Sequence, residues 1–235
     1  MDKIFIPASK PEDWKRLLAE PEKHWKTGYS AKTLAYCWQE ADGFPGDVKR
    51  VFRNSNIGLF QNAELLLAFP EYRVPLPGGR RPSQSDIFVL AKGNCQLISI
   101  AVEGKANETF GQTVSEWTLE KGKGKAERLK YLCNLLKLNE CDTNWIGYQL
   151  LHRTASGLIE ARRFNASNAL MLVHSFFHKG RGVDEVDEAF EDYKRFLSLY
   201  FLEGLKPDSL VFAKNVDGID LYFAWVKGNP RFLEK

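Results

Sequence analysis

The chain predicts an α/β protein in which a mixed central sheet is flanked by helices and preceded by a helical N-terminal elaboration. Two observations carry this. Runs rich in β-branched and apolar residues on either side of Gly93-Asn94 signal a hairpin. Around it the elements fall in the order helices, three strands, helices, a strand, a helix and two strands, and interleaving of this kind makes a sheet with helices packed on its faces. With no internal repeat and no low-complexity tract, residues 1–235 read as a single domain, residues 1–58 being the helical elaboration and residues 60–175 the region that carries the core motifs.

Taken in order, Pro11 to Ala19 opens a short helix, and Ser30 to Ala41 carries Leu34, Cys37 and Trp38 at helical spacing behind an N-capping Ser30. Asp47 to Arg53 adds a turn or two. Asn62 to Phe69, with Leu65, Leu66 and Leu67, is expected as a helix ending before Pro70, and Tyr72 to Leu76 as a first strand. Pro77 to Pro82 is a loop. The hairpin follows, then helices over Thr109–Glu120, Lys125–Leu138 and Trp145–Arg162. Leu170 to His174 reads as a buried strand. Asp184 to Phe201 is a long amphipathic helix with acidic first turns, and Leu210–Lys214 and Ile219–Val226 flank Asp217-Gly218 in a closing hairpin.

The chain's 44% hydrophobic and 13% aromatic content supports a sizeable core and excludes a disordered chain. No run reaches the roughly 20 apolar residues of a membrane span, and the Met1-Asp2-Lys3 start lacks a signal-peptide core, so a soluble, unexported, cytoplasmic protein with no membrane partner is expected. Four scattered cysteines show no Cys-x-x-Cys pair and no zinc-finger histidines, so neither a disulfide framework nor structural zinc is indicated. A net charge of +3 decides nothing about nucleic acid.

Chemistry concentrates on the central hairpin. A two-residue Gly93-Asn94 turn sets Lys92 against Cys95 and Asp86 across from Ala101, with Glu103 diagonal to Asp86. Strand side chains alternate faces, so Glu103 and Lys105 share the face of Asp86, and two carboxylates and an ammonium can converge on one cation. A slip of one residue would send Glu103 and Lys105 to the opposite face.

Asp86 at the start of one strand and Glu103-Gly104-Lys105 at the end of the next resemble the core of the PD-(D/E)XK, or restriction-endonuclease-like, nucleases. Ser85 stands where that pattern has proline. The resemblance implies a restriction-endonuclease-like core and Mg²⁺-dependent hydrolysis of phosphodiesters, DNA foremost, in a restriction or defence role. Mg²⁺, or Mn²⁺ in its stead, would be held by Asp86, Glu103 and the carbonyl of Gly104. Lys105 would act catalytically, joined by Glu64 from the preceding helix and Gln149 from the helix before the next strand. A homodimer is left open, because a one-metal monomer only nicks. The alternative is an inactive nucleic-acid- or protein-binding module on the same fold.

Arg153 lies four residues after Gln149, on the same helix face, and so is a further candidate for the lysine network. Tyr148 and His152 repeat that spacing, as a long helix does by chance. Gln112 is a weaker candidate, at the start of a helix. His174, ending an apolar strand, reads as a hydrogen-bonded core residue, and His24 and His178 have no ligand partners at suitable spacing. Lys121, Lys123, Lys125, Arg128 and Lys130, with Arg80-Arg81 and Arg162-Arg163, make basic runs that suit a phosphate backbone. Neither a P-loop nor a Gly-x-Ser-x-Gly elbow is present.

Overall fold

The computed structural model describes residues 8–119, 122–177 and 187–235. Lys121 of the basic run, His178, and the ends of the expected helices at Glu120 and Asp184–Val186 lie outside the described residues.

A six-stranded mixed sheet has the spatial order β1-β2-β3-β4-β6-β5. β1 (Glu64–Val74), β2 (Ser83–Gly93) and β3 (Gln96–Lys105) form an antiparallel meander; β4 (Asn168–Ser175) lies parallel to β3 and to β6 (Ile219–Lys227), and β5 (Ser209–Val216) closes the far edge antiparallel to β6. β4 is buried along its whole length, which is why its sequence is a continuous apolar run instead of an alternating one. Between β3 and β4 the chain crosses over through α5 (Val114–Leu119), α6 (Lys125–Leu136) and α7 (Tyr148–Arg163).

Helices cover both faces. On one, Leu150, Leu151, Ala155 and Leu158 of α7 pack with Met171 and Val173 of β4 and with Phe190, Tyr193 and Phe196 of α8 (Glu188–Ser198). On the other, the N-terminal elaboration comprises a 3-10 turn over Pro11–Leu17, α1 (Pro21–His24), α2 (Ser30–Gln39), α3 (Gly46–Asn54) and α4 (Gly58–Gln61). It buries Leu34, Trp38, Phe52 and Phe60 against Ile87, Val89, Ile100 and Leu172 of the sheet. No helix among the described residues is long and apolar enough to cross a membrane.

Three expectations are corrected. Asn62–Phe69 is not a helix: residues 64–74 form one edge strand, and Tyr72, expected to open the first strand, lies within it. Leucine-rich local preference yields here to tertiary pairing. Phe69 and Tyr72 stack on Phe88 with centroids 6.0 and 4.8 Å away, Phe88 stacks in turn on Phe164 at the end of α7, and the Tyr72 hydroxyl donates to Glu160 Oε2 on α7 at 3.0 Å. Pro70 is tolerated because β1 has a free side. The central turn is Asn94-Cys95, one residue later than Gly93-Asn94, so Gly93 pairs with Gln96 and Ile87 with Val102. Gly93 cannot move into the strand as any other residue, since a Cβ there would lie 1.9 Å from the Leu59 carbonyl oxygen. The third correction concerns Glu64, which begins β1 opposite Lys92, exposed and at the far end of the meander from Asp86.

Candidate functional site

The shifted turn moves the register by two residues, which leaves every side chain on its expected face. Carried one step past Ile87↔Val102, it sets Asp86 directly opposite Glu103 instead of Ala101. The β1–β2 pairing, Pro70↔Ile87 and Tyr72↔Ser85, brackets Glu71 opposite Asp86. Glu71, Asp86 and Glu103 thus form a row across three adjacent strands, and all three line one cleft of 480 Å³. Lys105 and Gly104 line it too, as do Gln84, Glu108, Gln149 and Arg153. The cleft lies at the C-terminal end of β3, where the N-terminal elaboration and α7 both line it, a usual position for a ligand site in α/β sheets.

Glu103 and Lys105 are each only 3% exposed. Glu103 Oε1 accepts from Lys105 Nζ at 3.1 Å and its Oε2 from Arg153 Nε at 2.5 Å. Lys105 Nζ also donates to Gln149 Oε1 at 2.9 Å and stands 4.5 Å from the centre of the Phe110 ring. Gln149 sits in the first turn of α7 and Arg153 one turn later, so a single helix face supplies both. Arg153 is steadied from behind by Ser83 Oγ, 3.3 Å from its guanidinium, and Ser83 Oγ lies 2.8 Å from His152 Nδ1. The backbone N–H of Gly104 donates to Asp86 Oδ2 at 2.7 Å, a bond that ties the start of β2 to the end of β3.

The electrostatics differ along the row. Burial would raise Glu103, but Arg153 and Lys105 outweigh it and hold the carboxyl below its usual range. Asp86 is pushed well up, first by burial and then by the like charges of Glu103 and Glu71. Burial likewise raises Glu71 to about 7, against a hydrogen bond from Gln84 Nε2 of 2.6 Å. The negative charge of Glu103 is therefore balanced by cations, whereas Asp86 and Glu71 are short of them. Among the described residues no three His, Cys, Asp or Glu side chains close tightly enough to hold an ion unaided.

Residues 7–230 match a family described as a domain of unknown function, DUF6946. The chain belongs to that family. No curated protein and no solved structure matches it.

Of the residues singled out in the sequence, Asp86, Glu103, Gly104, Lys105 and Gln149 come together, and Arg153 joins them. Glu64 does not, and Gln112 is exposed outside the cleft. Arg128 is buried, donating from Nε to the Pro77 carbonyl at 2.8 Å, and so leaves the basic surface. Glu71 was missed. Its signal was the Pro70-Glu71 step: read as a strand with a proline at a free edge, residues 64–74 put Glu71 beside Asp86.

Proposed function

We propose that this protein is a metal-dependent nuclease that hydrolyses phosphodiester bonds, with DNA as its substrate. The observation that supports this reading is the carboxylate row Glu71, Asp86 and Glu103 beside the Lys105 ammonium in one cleft. The antiparallel meander followed by a helical crossover to a parallel strand is also the order that the PD-(D/E)XK resemblance implies. A restriction or defence role rests on that analogy alone.

The donors suit Mg²⁺, which takes oxygen ligands, needs few carboxylates and retains several waters. Crowded negative charge at Asp86 and Glu71 would be relieved by a cation. Asp86, Glu103 and the Gly104 carbonyl would hold Mg²⁺, or Mn²⁺ as substitute, and Glu71 takes the supporting role first assigned to Glu64. Bound there, the ion would neutralise charge on the phosphate and acidify a water. Lys105, aimed by Glu103 and Gln149, offers a fixed positive charge to the phosphate at no reorganisation cost. Arg153 orients Glu103.

Titration calorimetry with Mg²⁺ and Mn²⁺, alongside cleavage assays on single-stranded circular DNA and on plasmid, tests this. Metal binding and cleavage of DNA are expected in the wild type and lost in Asp86→Ala and Glu103→Ala; equal metal affinity in all three proteins would overturn the proposal. A second reading, an inactive binding module, is favoured by the engagement of both Glu103 oxygens with cations. Metal binding without cleavage of any DNA or RNA would select it.

A further inference from the structure

The cleft has two unlike sides. Its floor is the charged row, whereas the wall that the N-terminal elaboration contributes presents Leu18, Ala19, His24, Tyr29, Ser30 and Ala31. Tyr29 keeps 43% of its surface open, so one side of its ring is accessible. Its backbone N–H donates to the Lys26 carbonyl at 3.1 Å, closing a turn in which Gly28 has φ +83°, a conformation that side chains disfavour. The turn thereby sets the backbone of Tyr29 at the N-cap of α2. Lys26 Nζ stands 5.7 Å from its centre. Glu108 is hydrogen-bonded to Ser30, so the wall is tied to the segment that follows β3.

Taking the floor as the phosphodiester site proposed above, we infer that the wall is a stacking platform for a nucleobase, and that the substrate is a single polynucleotide strand, not an intact duplex. An aromatic ring and a phosphate-binding floor that line one cleft supply partners for the two halves of one nucleotide. Base stacking on an aromatic ring accepts any base and serves strands whose bases are splayed out. Lys26 Nζ, 5.7 Å over one face of the ring, leaves the other face for a base and offers a cation to a flanking phosphate. At 480 Å³ the space falls within the range of small-ligand pockets, whereas a duplex is a rigid cylinder that cannot lower one phosphate to side chains 3% exposed without parting the walls.

The test is fluorescence anisotropy of labelled oligo(dT), oligo(rU) and a duplex of equal length, with Ca²⁺ replacing Mg²⁺ to favour binding over cleavage, on the wild type, Tyr29→Ala and Tyr29→Trp. Both single strands should bind more tightly than the duplex. Tyr29→Ala should weaken them about tenfold, as loss of a stacking partner does, and Tyr29→Trp should restore binding. Tyr29 is exposed enough for the variants to fold, which circular dichroism checks. Equal affinity of Tyr29→Ala and wild type, or preference for the duplex, would overturn the inference. Calorimetric metal binding is read separately in both proteins: its failure in wild type condemns the nuclease reading, while its persistence in a Tyr29→Ala protein that binds strands as wild type does condemns only the stacking platform.

Discussion

Glu103 holds the charge balance of the cleft, because it is the acid through which two buried cations are neutralised at once. Removing one partner from a buried ion pair strands the other charge in a poorly solvated place, at a cost of about 3–5 kcal/mol. Glu103→Gln, which leaves two buried cations without their carboxylate, should therefore lower stability by about that amount in urea titrations. The opposite imbalance, at Asp86 and Glu71, governs metal uptake. Their carboxyls are raised, so each is protonated at a pH where a free carboxylate is charged, and a metal must displace those protons. As pH falls through about 7, where Glu71 takes its proton, Mg²⁺ affinity should drop by up to about tenfold per unit per proton displaced. Calorimetry at pH 8 and pH 6, in buffers of differing ionisation enthalpy, would register both the loss and the proton release. The convergence of Asp86, Glu103 and Lys105 was legible in the sequence because strand parity is set by burial: Ile87, Val89 and Ile100 point into one core, which obliges Asp86 and Glu103 to point the other way. Arg153 was legible as a neighbour of Gln149 on its helix, but not as the partner of Glu103, since no sequence rule sets the depth of α7 against β3.

At the scale of elements, β2 and β3 declared themselves by composition, while the turn between them slipped by one residue. Asn94 and Cys95 have φ of 47° and 62°, the pair of positive values that a type I′ turn requires. Asn tolerates that region; Cys does not. Cys95→Gly should stabilise the protein by about 1 kcal/mol, visible as a rise of a few degrees in melting temperature. β1 was hidden for another reason. Its Leu65-Leu66-Leu67-Ala68 run has no two-residue alternation, because an edge strand lies over neither core fully, and Leu66 and Leu67 remain 40% and 46% exposed. Only its partners, the Phe88 stack and the β2 ladder, make it a strand. Within it Glu71 adopts φ 53°, a conformation that costs a non-glycine residue of the order of 1 kcal/mol and is retained where function demands it. Glu71→Gly should leave the melting temperature level or slightly raised while weakening Mg²⁺ binding, a trade of stability against function that calorimetry and thermal melts would expose together.

Across the whole molecule, a buried polar pair joins the N-terminal layer to the sheet within an interface built largely of apolar side chains. His174, on β4, is fully buried, and its Nδ1 accepts from the Trp38 indole N–H on α2 at 3.1 Å, so the proton of the neutral ring lies on Nε2, which finds no partner among the described residues. Burial drives the imidazole down to about 3. The unfolded chain, with a histidine near 6.5, takes up a proton below that pH and the folded chain does not, so the contribution of neutral His174 is fully present above about 6.5 and is lost as pH falls toward 3. The slope approaches about 1.4 kcal/mol per pH unit over most of that window. Glu71 works against it: with its carboxyl raised to about 7, its contribution is full below 4.5 and is lost as pH rises through 7. His174→Gln keeps an oxygen acceptor for Trp38 and has nothing to titrate. Unfolding measured between pH 7 and pH 4 should then show wild-type stability falling on acidification more steeply than that of the variant, whose curve keeps the Glu71 slope. Parallel curves for the two proteins would mean that protonating this histidine does not part the N-terminal layer from the sheet.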